Sequence, residues 1–551
     1  MCGLIGVIGN SVERDIINGL LLMQYRGYDS YGIATADDQK LFVHKSLTQI
    51  DANLPLNLPG SIGIGHTRWA THGSVKLENA HPLYRDHIAV AHNGIIENHM
   101  EVKELFHDFK MRGETDTECL LPLMLHANKS GIYFLQHLLK TLEGSYTILG
   151  LNSMTEEIYF MKKGVSPLLI GVKDNYQVIG SDITLFEDFD SIIEVGDMQC
   201  GVMSISGMTM SPGHTKQISG LTKKMQAIRS HKTWFQTEFA QQPEILLGAL
   251  ETPIEFPEIA PSTITLTGCG SANLVGQIGQ HWFRRIGKIH ANSCLASELP
   301  SGLECIAAIS QSGETADTLR ALRYSDAQFK VGVINKEQSS MQHYIDHLIP
   351  TLAGPEISVA STKATTAQML SLFRWACHIS NVDMGEDLKK MIEVIKSFMQ
   401  ESLHEIEEIA QICANQSSLF ILGRDLLYPI ACEGALKVKE LAYLHAEGMH
   451  AAELKHGPLA VIDQSSIVIC LSPGDDISAS EILARGGQII VLTEKPELFP
   501  NARTIRMPHI DPLLTPFLYI IPMQWLAYSL ALLKDNNIDM PRNLAKSVTV
   551  L

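Results

Sequence analysis

Short apolar runs separated by turn residues fill residues 1–210: LIGVIG, YGIATA, IGIGHTRWA, HIAVAHNG, SYTILGL and YQVIGSD. Each has the length of a strand, and the Gly, Asn and Asp residues between them favour turns. Helical spacing intervenes at Asn98 to Phe109 and at Asp116 to His126. The pattern predicts an α+β region in which sheet predominates. Residues 211–242, opening SPGHTKQISG and continuing polar and basic, read as a linker. Beyond Ile264 the rhythm becomes strand, Gly-rich turn, helix: ITLTGCGSANLVGQIGQHWF, CIAAISQSGETADTLRALRYS, then KVGVINK. Strands joined by helical crossovers make a parallel, doubly wound sheet.

That second rhythm then returns. ITLTG at 264–268 corresponds to LFILG at 419–423, and HANSCLASEL at 290–299 to HAEGMHAAEL at 445–454, both at an offset of 155. AISQSGE from Ala308 corresponds to CLSPGDD from Cys470 at an offset of 162. Agreement between independent segments predicts two doubly wound α/β lobes, 243–385 and 386–538, followed by a tail at 539–551. Between the lobes Leu388, Met391, Ile392, Ile395, Phe398, Met399 and Leu403 recur at helical spacing, as a packing stripe does. Leu513 to Leu533 carries no charge over 21 residues, a length that could span a bilayer. Pro516, Pro522, Tyr519, Gln524 and Tyr528 interrupt it, and a buried helix entered through Pro522 is expected instead.

Length and charge narrow the picture. A chain of 551 residues needs more than one core. A net charge of -17 argues against nucleic acid or an anionic membrane as partner, because both call for clustered Lys and Arg. An anionic metabolite would then be held by backbone N–H groups and hydroxyls. The ten cysteines are scattered, with no C-x-x-C pair, which predicts a reduced cytoplasmic protein without disulfides or a structural zinc site.

Three stretches carry candidate chemistry. Cys2 either starts a buried strand or, once Met1 is removed, bears a thiol and a free α-amine together. An α-amine of pKa about 7.7 to 8.0 is roughly 10 to 15% neutral at pH 7, against about 0.04% for a lysine. Such a nucleophile carries its own base. The oxyanion formed on attacking an amide needs fixed donors, and HNGIIEN offers the Asn93 amide and the closely approachable backbone of Gly94. SQSGET at 310–315 follows an apolar strand and precedes a helix; Ser310, Gln311, Ser312 and Thr315 can all donate to a phosphate there. EGALKVKELAYLHAE sets Glu433, Lys437 and Glu440 on one helical face, as either an acid–base set or a solvated salt-bridge ladder.

MCGLIGVIG, YRGYDSYG at 25–32, HTRWATHG at 66–73, HNGIIENH at 92–99 and ETDTE at 114–118 together resemble the N-terminal-nucleophile glutaminase domain of glutamine amidotransferases. With its second half included, the whole chain resembles the isomerising glutamine:fructose-6-phosphate aminotransferase family. The resemblance implies a glutaminase sandwich followed by two sugar isomerase lobes, glutamine and fructose 6-phosphate as substrates, no metal or cofactor, and a homodimer. It makes Cys2 the nucleophile and Asn93 with Gly94 the oxyanion hole. Arg68 would hold the glutamine carboxylate and Asp116 its ammonium, with Thr71, His72 and Gly73 shaping the pocket and Trp69 gating ammonia passage between the sites. In the second half it assigns the sugar phosphate to Ser271, Ser310, Gln311, Ser312 and Thr315, with Val359, Ala360 and Ser361 beside the sugar. Glu440 becomes the isomerase base and Lys437 its neighbour, His456 assists ring opening, and Lys546 of PRNLAKSVTVL forms a Schiff base with the ketose.

The chain departs from the family's pattern where Ser271 is followed by Ala272 instead of a second hydroxyl, and at ASELPSG, 296–302. Both leave open a paralogue that aminates a different ketose phosphate. A phosphoribosyl-transferring amidotransferase would need an acidic, β-branched pyrophosphate strand and loop, and none is found. A sugar-phosphate sensor with a vestigial glutaminase half is opposed by the intact Cys2, Arg68, Asn93 and Asp116.

Overall fold

The computed structural model describes residues 2–548 except 52–55, 71–72, 128–130, 165, 187–188, 214, 220–229, 259–260, 337–338 and 473–478. The chain divides into two compact units, Met1–Met225 with Ser547–Leu551, and Gln226–Lys546.

The first unit holds an eight-stranded and a six-stranded antiparallel sheet. Strand Gly3–Ile8 lies inside the larger sheet, between Tyr176–Gly180 and Ile62–Arg68, with Gly3 opposite Thr67. Period-2 alternation sends Leu4 and Ile8 to one face, where they pack with Ala89, Ala91, Leu149, Leu151 and Phe160 of the smaller sheet. Ile5 and Val7 point the other way, onto Val12, Ile16 and Leu20 of helix Val12–Met23. Helices Leu120–Ala127 and Gly131–Thr141 cover the far face of the smaller sheet through Leu120, Met124, Leu135, Leu138 and Leu139. The result is four layers: helix, sheet, sheet, helix.

Three local expectations shift. The helix expected over Asn98 to Phe109 is confined to His99–Leu105, and the next begins as a single tight turn, Asp116–Cys119, before Leu120–Ala127. Part of the stretch read as a linker is structured: Lys216–Ser219 pairs with Ser191–Glu194 as an edge strand, and Trp234–Ala240 is a helix capped by the Thr233 hydroxyl. The short edge strand is hidden by its polar composition, whereas the helix follows a polar and basic stretch and buries Phe235 and Phe239 in the core of the second unit. Residues 220–229 of that stretch lie outside the described ones.

The second unit contains two five-stranded parallel sheets of identical strand order. In the first, Thr263–Gly268 has His290–Leu295 on one side and Cys305–Ser310 on the other, followed by Phe329–Ile334 and His347–Pro350. In the second, Ser418–Gly423 is flanked by His445–His450 and Ile467–Ser472. These strands keep the offsets of 155 and 162 read from the sequence. In such sheets a crevice opens beyond the carboxyl ends of the strands where the order reverses. The turn carrying SQSGET begins at such an end.

One apolar core runs through both lobes of this unit. The stripe expected to be core is core: helix Gly385–Glu401 buries Leu388, Met391, Ile392, Ile395 and Phe398, while Leu403 opens the next helix, Leu403–Cys413. The uncharged stretch is helix Thr515–Leu533, buried from Thr515 to Ala531. It is not entered through Pro522: Pro516 occupies the first turn, where no N–H is needed, and Pro522 lies inside. Burial on all sides outweighs the one hydrogen bond that Pro522 removes. The ten cysteines are all free.

Candidate active sites

The first constellation forms where strand Gly3–Ile8 begins and Ile62–Arg68 ends, since antiparallel pairing brings these two ends together. The Gly3 N–H donates to Thr67 Oγ1 at 2.9 Å, and Asn93 Nδ2 donates to the Cys2 carbonyl at 2.8 Å. The Trp69 N–H reaches Cys2 Sγ at 3.2 Å. Burial pushes the Cys2 thiol up; the amino terminus, the Trp69 N–H and Arg68 oppose that rise, and Asp29 adds to it. A partly buried thiol of this kind needs a base before it can attack.

Gly94, in strand Ile88–Ile96 opposite Tyr146, has φ +118°, and a Cβ there would come within 2.1 Å of the Ser145 carbonyl oxygen. No other residue fits that close approach. Arg68 is buried, with its guanidinium donating to the carbonyls of Gly73 at 3.2 Å and Ser74 at 3.4 Å. The Asp116 carboxylate is buried and accepts from the N–H groups of Ile96 and Thr117 at 2.9 and 3.0 Å. Trp69 packs edge-on against Tyr28, ring centroids 6.1 Å apart. Cys2, Arg68, Trp69, Gly73, Asn93, Gly94 and Asp116 all belong to the first unit. Thr71 and His72 lie outside the described residues.

Sequence reasoning passed over what stands behind these groups. His66 Nε2 is 3.1 Å from both the His92 carbonyl oxygen and Asn93 Oδ1, so it carries the proton and fixes which way the Asn93 amide faces. The His81 ring lies tilted against that of His66, centroids 4.6 Å apart, and His92 Nδ1 meets Thr117 Oγ1 at 3.0 Å. Burial drives the His66 pKa down to about 3, helped by the charge of Arg68, and drives His81 well below its ordinary value. Asp29 accepts from the Ala70 N–H at 2.9 Å, and Glu114 gathers the Ser74 N–H, the Ser74 hydroxyl and the Asn79 amide. His66, His92, Asp29 and Glu114 lay inside the quoted motifs; their contacts did not.

In the second unit, Glu433, Lys437 and Glu440 lie on helix Tyr428–Ala442. They are no solvated ladder: the Glu433 and Lys437 side chains are each 2% exposed. Lys437 Nζ is 3.4 Å from Glu433 Oε1 and 2.5 Å from Glu440 Oε2. Burial works against the ammonium, but the two carboxylates outweigh it and raise the Lys437 pKa. Burial raises the Glu433 carboxyl. Ser271, at the start of helix Ser271–Arg285, donates to Glu433 Oε1 at 2.9 Å, joining the two lobes. Ala272 has no hydroxyl for a second such contact.

The SQSGET turn folds on its own hydroxyls. Gly313 N–H donates to Ser310 Oγ at 3.0 Å and Glu314 N–H to Ser312 Oγ at 3.1 Å, while Ser310 Oγ is 3.2 Å from Thr315 Oγ1. A hydroxyl that accepts from an N–H keeps its own proton to donate. Gln311 is half-buried beside them.

Val359 and Ala360 are buried ahead of helix Lys363–Ile379, and Ser361 Oγ donates to Glu356 Oε2 at 2.9 Å. Lys546 also reaches Glu356, a residue that sequence reasoning did not single out. His456 is exposed at the end of the short turn Ala451–His456, and among the described residues no hydrogen bond joins it to the Glu433–Lys437–Glu440 row.

Comparison with known proteins follows the same division. A glutamine amidotransferase domain family matches residues 66–188, and the SIS domain family matches 259–373 and again 412–534. The glutamine–fructose-6-phosphate aminotransferase (isomerizing) of Brucella abortus biovar 1 is 36% identical over 608 aligned positions, covering 100% of both chains. Its namesake from Mesorhizobium japonicum is 35% identical over 611 positions, again covering 100% of both. Among solved structures, the C-terminal domain of glucosamine-fructose-6-phosphate aminotransferase from Francisella tularensis is similar at TM-score 0.53 and 30% identity, covering 57% of this chain and 99% of that one. A glucosamine-6-phosphate deaminase from Thermotoga maritima, at TM-score 0.50 and 21% identity over 58% of this chain and 100% of that one, shares the fold. Identity at this level across the full length of both chains places the protein in the family of isomerizing glutamine–fructose-6-phosphate aminotransferases.

Proposed function

We propose that the chain transfers the amide nitrogen of glutamine to fructose 6-phosphate and isomerises the product, yielding glucosamine 6-phosphate and glutamate. The observation that carries this reading is that one chain holds a cradled N-terminal thiol in one unit and, in the other, a Glu–Lys–Glu row with buried Glu433 and Lys437 together with a second buried lysine, Lys546. In the first unit, the Cys2 α-amine, freed by removal of Met1, takes the thiol proton. Cys2 Sγ then attacks the glutamine amide, Asn93 and Gly94 hold the oxyanion, and ammonia leaves a thioester that water hydrolyses to glutamate. Arg68 binds the α-carboxylate by its planar fork and Asp116 the α-ammonium, with Thr71, His72 and Gly73 completing the pocket. Ammonia passes to the second site past Trp69 without meeting bulk water, where it would become unreactive ammonium.

In the second unit Ser271, Ser310, Gln311, Ser312 and Thr315 hold the phosphate, and Val359, Ala360 and Ser361 line the sugar. His456 assists ring opening, and Lys546 forms the Schiff base. Glu440 moves the proton between adjacent carbons while Lys437 stays charged beside it. The matching strand order of the two sheets supports duplication of one ancestral lobe. Ten free cysteines fit a reducing, cytoplasmic setting. A homodimer is expected from the family, and sedimentation tests it.

The direct test mixes purified protein with glutamine and a panel of ketose phosphates and identifies the amino sugar by mass spectrometry. Glucosamine 6-phosphate is the expected product; amination of another ketose with none from fructose 6-phosphate sinks the reading.

A further inference from the structure

Lys546 and Glu356 form an ion pair whose side chains are 4% and 0% exposed. Two charges so far from water persist only when they are close and their remaining hydrogen-bonding capacity is filled. It is filled here. Glu356 Oε2 also accepts from Ser361 Oγ at 2.9 Å, and Oε1 accepts from the N–H groups of Thr362 and Ala364 at 2.9 and 3.0 Å.

Both partners are fixed from behind. The Glu238 carboxylate accepts from the N–H groups of Ile357 and Ser358, holding the loop that bears Glu356. On the other side, the Val359 N–H donates to the Asp539 carbonyl at 3.3 Å, and the Asp539 carboxylate takes the Trp234 and Phe235 N–H groups at 2.9 and 3.0 Å. The Arg542 N–H then donates to Tyr443 Oη at 2.6 Å. A tail pinned at Asp539 and Arg542 delivers one atom, Lys546 Nζ, to one oxygen. The charged groups facing Glu356 are Lys546, Lys363, whose Nζ donates to Gln241 Oε1 at 2.9 Å, and Glu238. Burial works against the Glu356 carboxylate, yet Lys546 and the loop N–H groups keep its pKa low, whereas burial beside Glu356 raises that of Glu238.

On the reading that Lys546 forms the Schiff base, we infer that Glu356 is a catalytic residue, the proton acceptor and counter-ion of that lysine. Glu356 Oε2 takes one proton from Nζ, and the freed lone pair bonds to the ketose C2 as the carbonyl electrons move onto oxygen. A second Nζ proton passes to that oxygen. The proton held on Glu356 then goes to the C2 hydroxyl, which leaves as water while the nitrogen lone pair forms the C=N bond. The product is a cationic Schiff base facing a regenerated carboxylate, with one water released and no change of oxidation state. Glu238 is a positioning residue for this step.

The ion pair is then itself the competent protonation state, and no proton has to reach bulk water. A lysine acting alone, with pKa about 10.4, gains reactive amine about tenfold per pH unit through the neutral range. The test incubates the full chain with fructose 6-phosphate and cyanoborohydride and follows the reduced adduct by mass spectrometry between about pH 7 and 9, the interval over which a free lysine would titrate steeply. The expected wild-type rate is nearly flat. Glu356→Gln, which keeps the shape and the Oε1 acceptor, should trap adduct at least tenfold more slowly at neutral pH and recover steadily as pH rises; Glu356→Asp should restore a flat profile at reduced rate. A wild-type rate that climbs tenfold per unit, a Glu356→Gln profile matching wild type, or a loss equal at every pH overturns the role of Glu356. The wild-type profile decides the matter even if the variants misfold. An adduct still trapped by Lys546→Arg overturns the Schiff-base reading and this inference with it, a result that no Glu356 variant can produce.

Discussion

At the scale of single residues, the first site depends on groups that each perform two tasks. Asn93 holds the Cys2 carbonyl through its Nδ2 while His66 holds its Oδ1, so its orientation is settled before any substrate arrives. Asn93→Ala should lower glutamine hydrolysis by about 100- to 1000-fold, the usual effect of losing one oxyanion donor, in a kinetic assay for released glutamate. Asp182 belongs to a different kind of residue. It pairs with Arg26, and their side chains are 0% and 2% exposed. Asp182→Ala leaves the guanidinium buried without this carboxylate, and should cost about 3–5 kcal/mol in urea unfolding of the full chain.

At the scale of elements, strand pairing gathers the histidines. His66 comes from strand Ile62–Arg68, His92 from Ile88–Ile96, and His81 from the connection between them. His66 and His81 stay neutral when folded, because burial depresses both pKa values. An unfolded chain protonates them near pH 6.5, so their contribution is complete above that pH. It is lost as pH falls from about 6.5 toward the folded pKa of about 3, by up to about 1.4 kcal/mol per pH unit for His66. His66→Gln should flatten the slope of stability against pH near pH 5 by about that amount, measured by denaturant titration; an unchanged slope contradicts the assignment. Elements also explain what was legible. Periodicity located the central strands and the helix Gly385–Glu401, because burial on one face writes a pattern into sequence. It missed the edge strand Lys216–Ser219 and misread the start of Thr515–Leu533, where burial on every side erases the period.

At the scale of the molecule, the two chemistries belong to separate units and should fail separately. Cys2→Ala should abolish use of glutamine and leave conversion of fructose 6-phosphate to its aldose isomer, whereas Lys546→Ala should do the reverse. Paired assays of glutamate release and sugar isomerisation check this, and loss of both activities in folded Cys2→Ala contradicts it.

The sequence by itself determined the order of the parts: a strand-rich first half, two lobes at offsets of 155 and 162, a cysteine at position 2, and hydroxyl-rich turns in place of basic clusters. These are local or periodic properties, and each is written in adjacent residues. Only the tertiary structure decided whether Glu433 and Lys437 face solvent or a buried centre, which histidine orients Asn93, and that Glu356 receives Lys546 from 190 residues away. One helical face reads the same in sequence whether water or protein covers it, and a buried ion pair leaves no spacing between its partners. Burial is a property of what packs against a residue, and that partner is chosen by the fold.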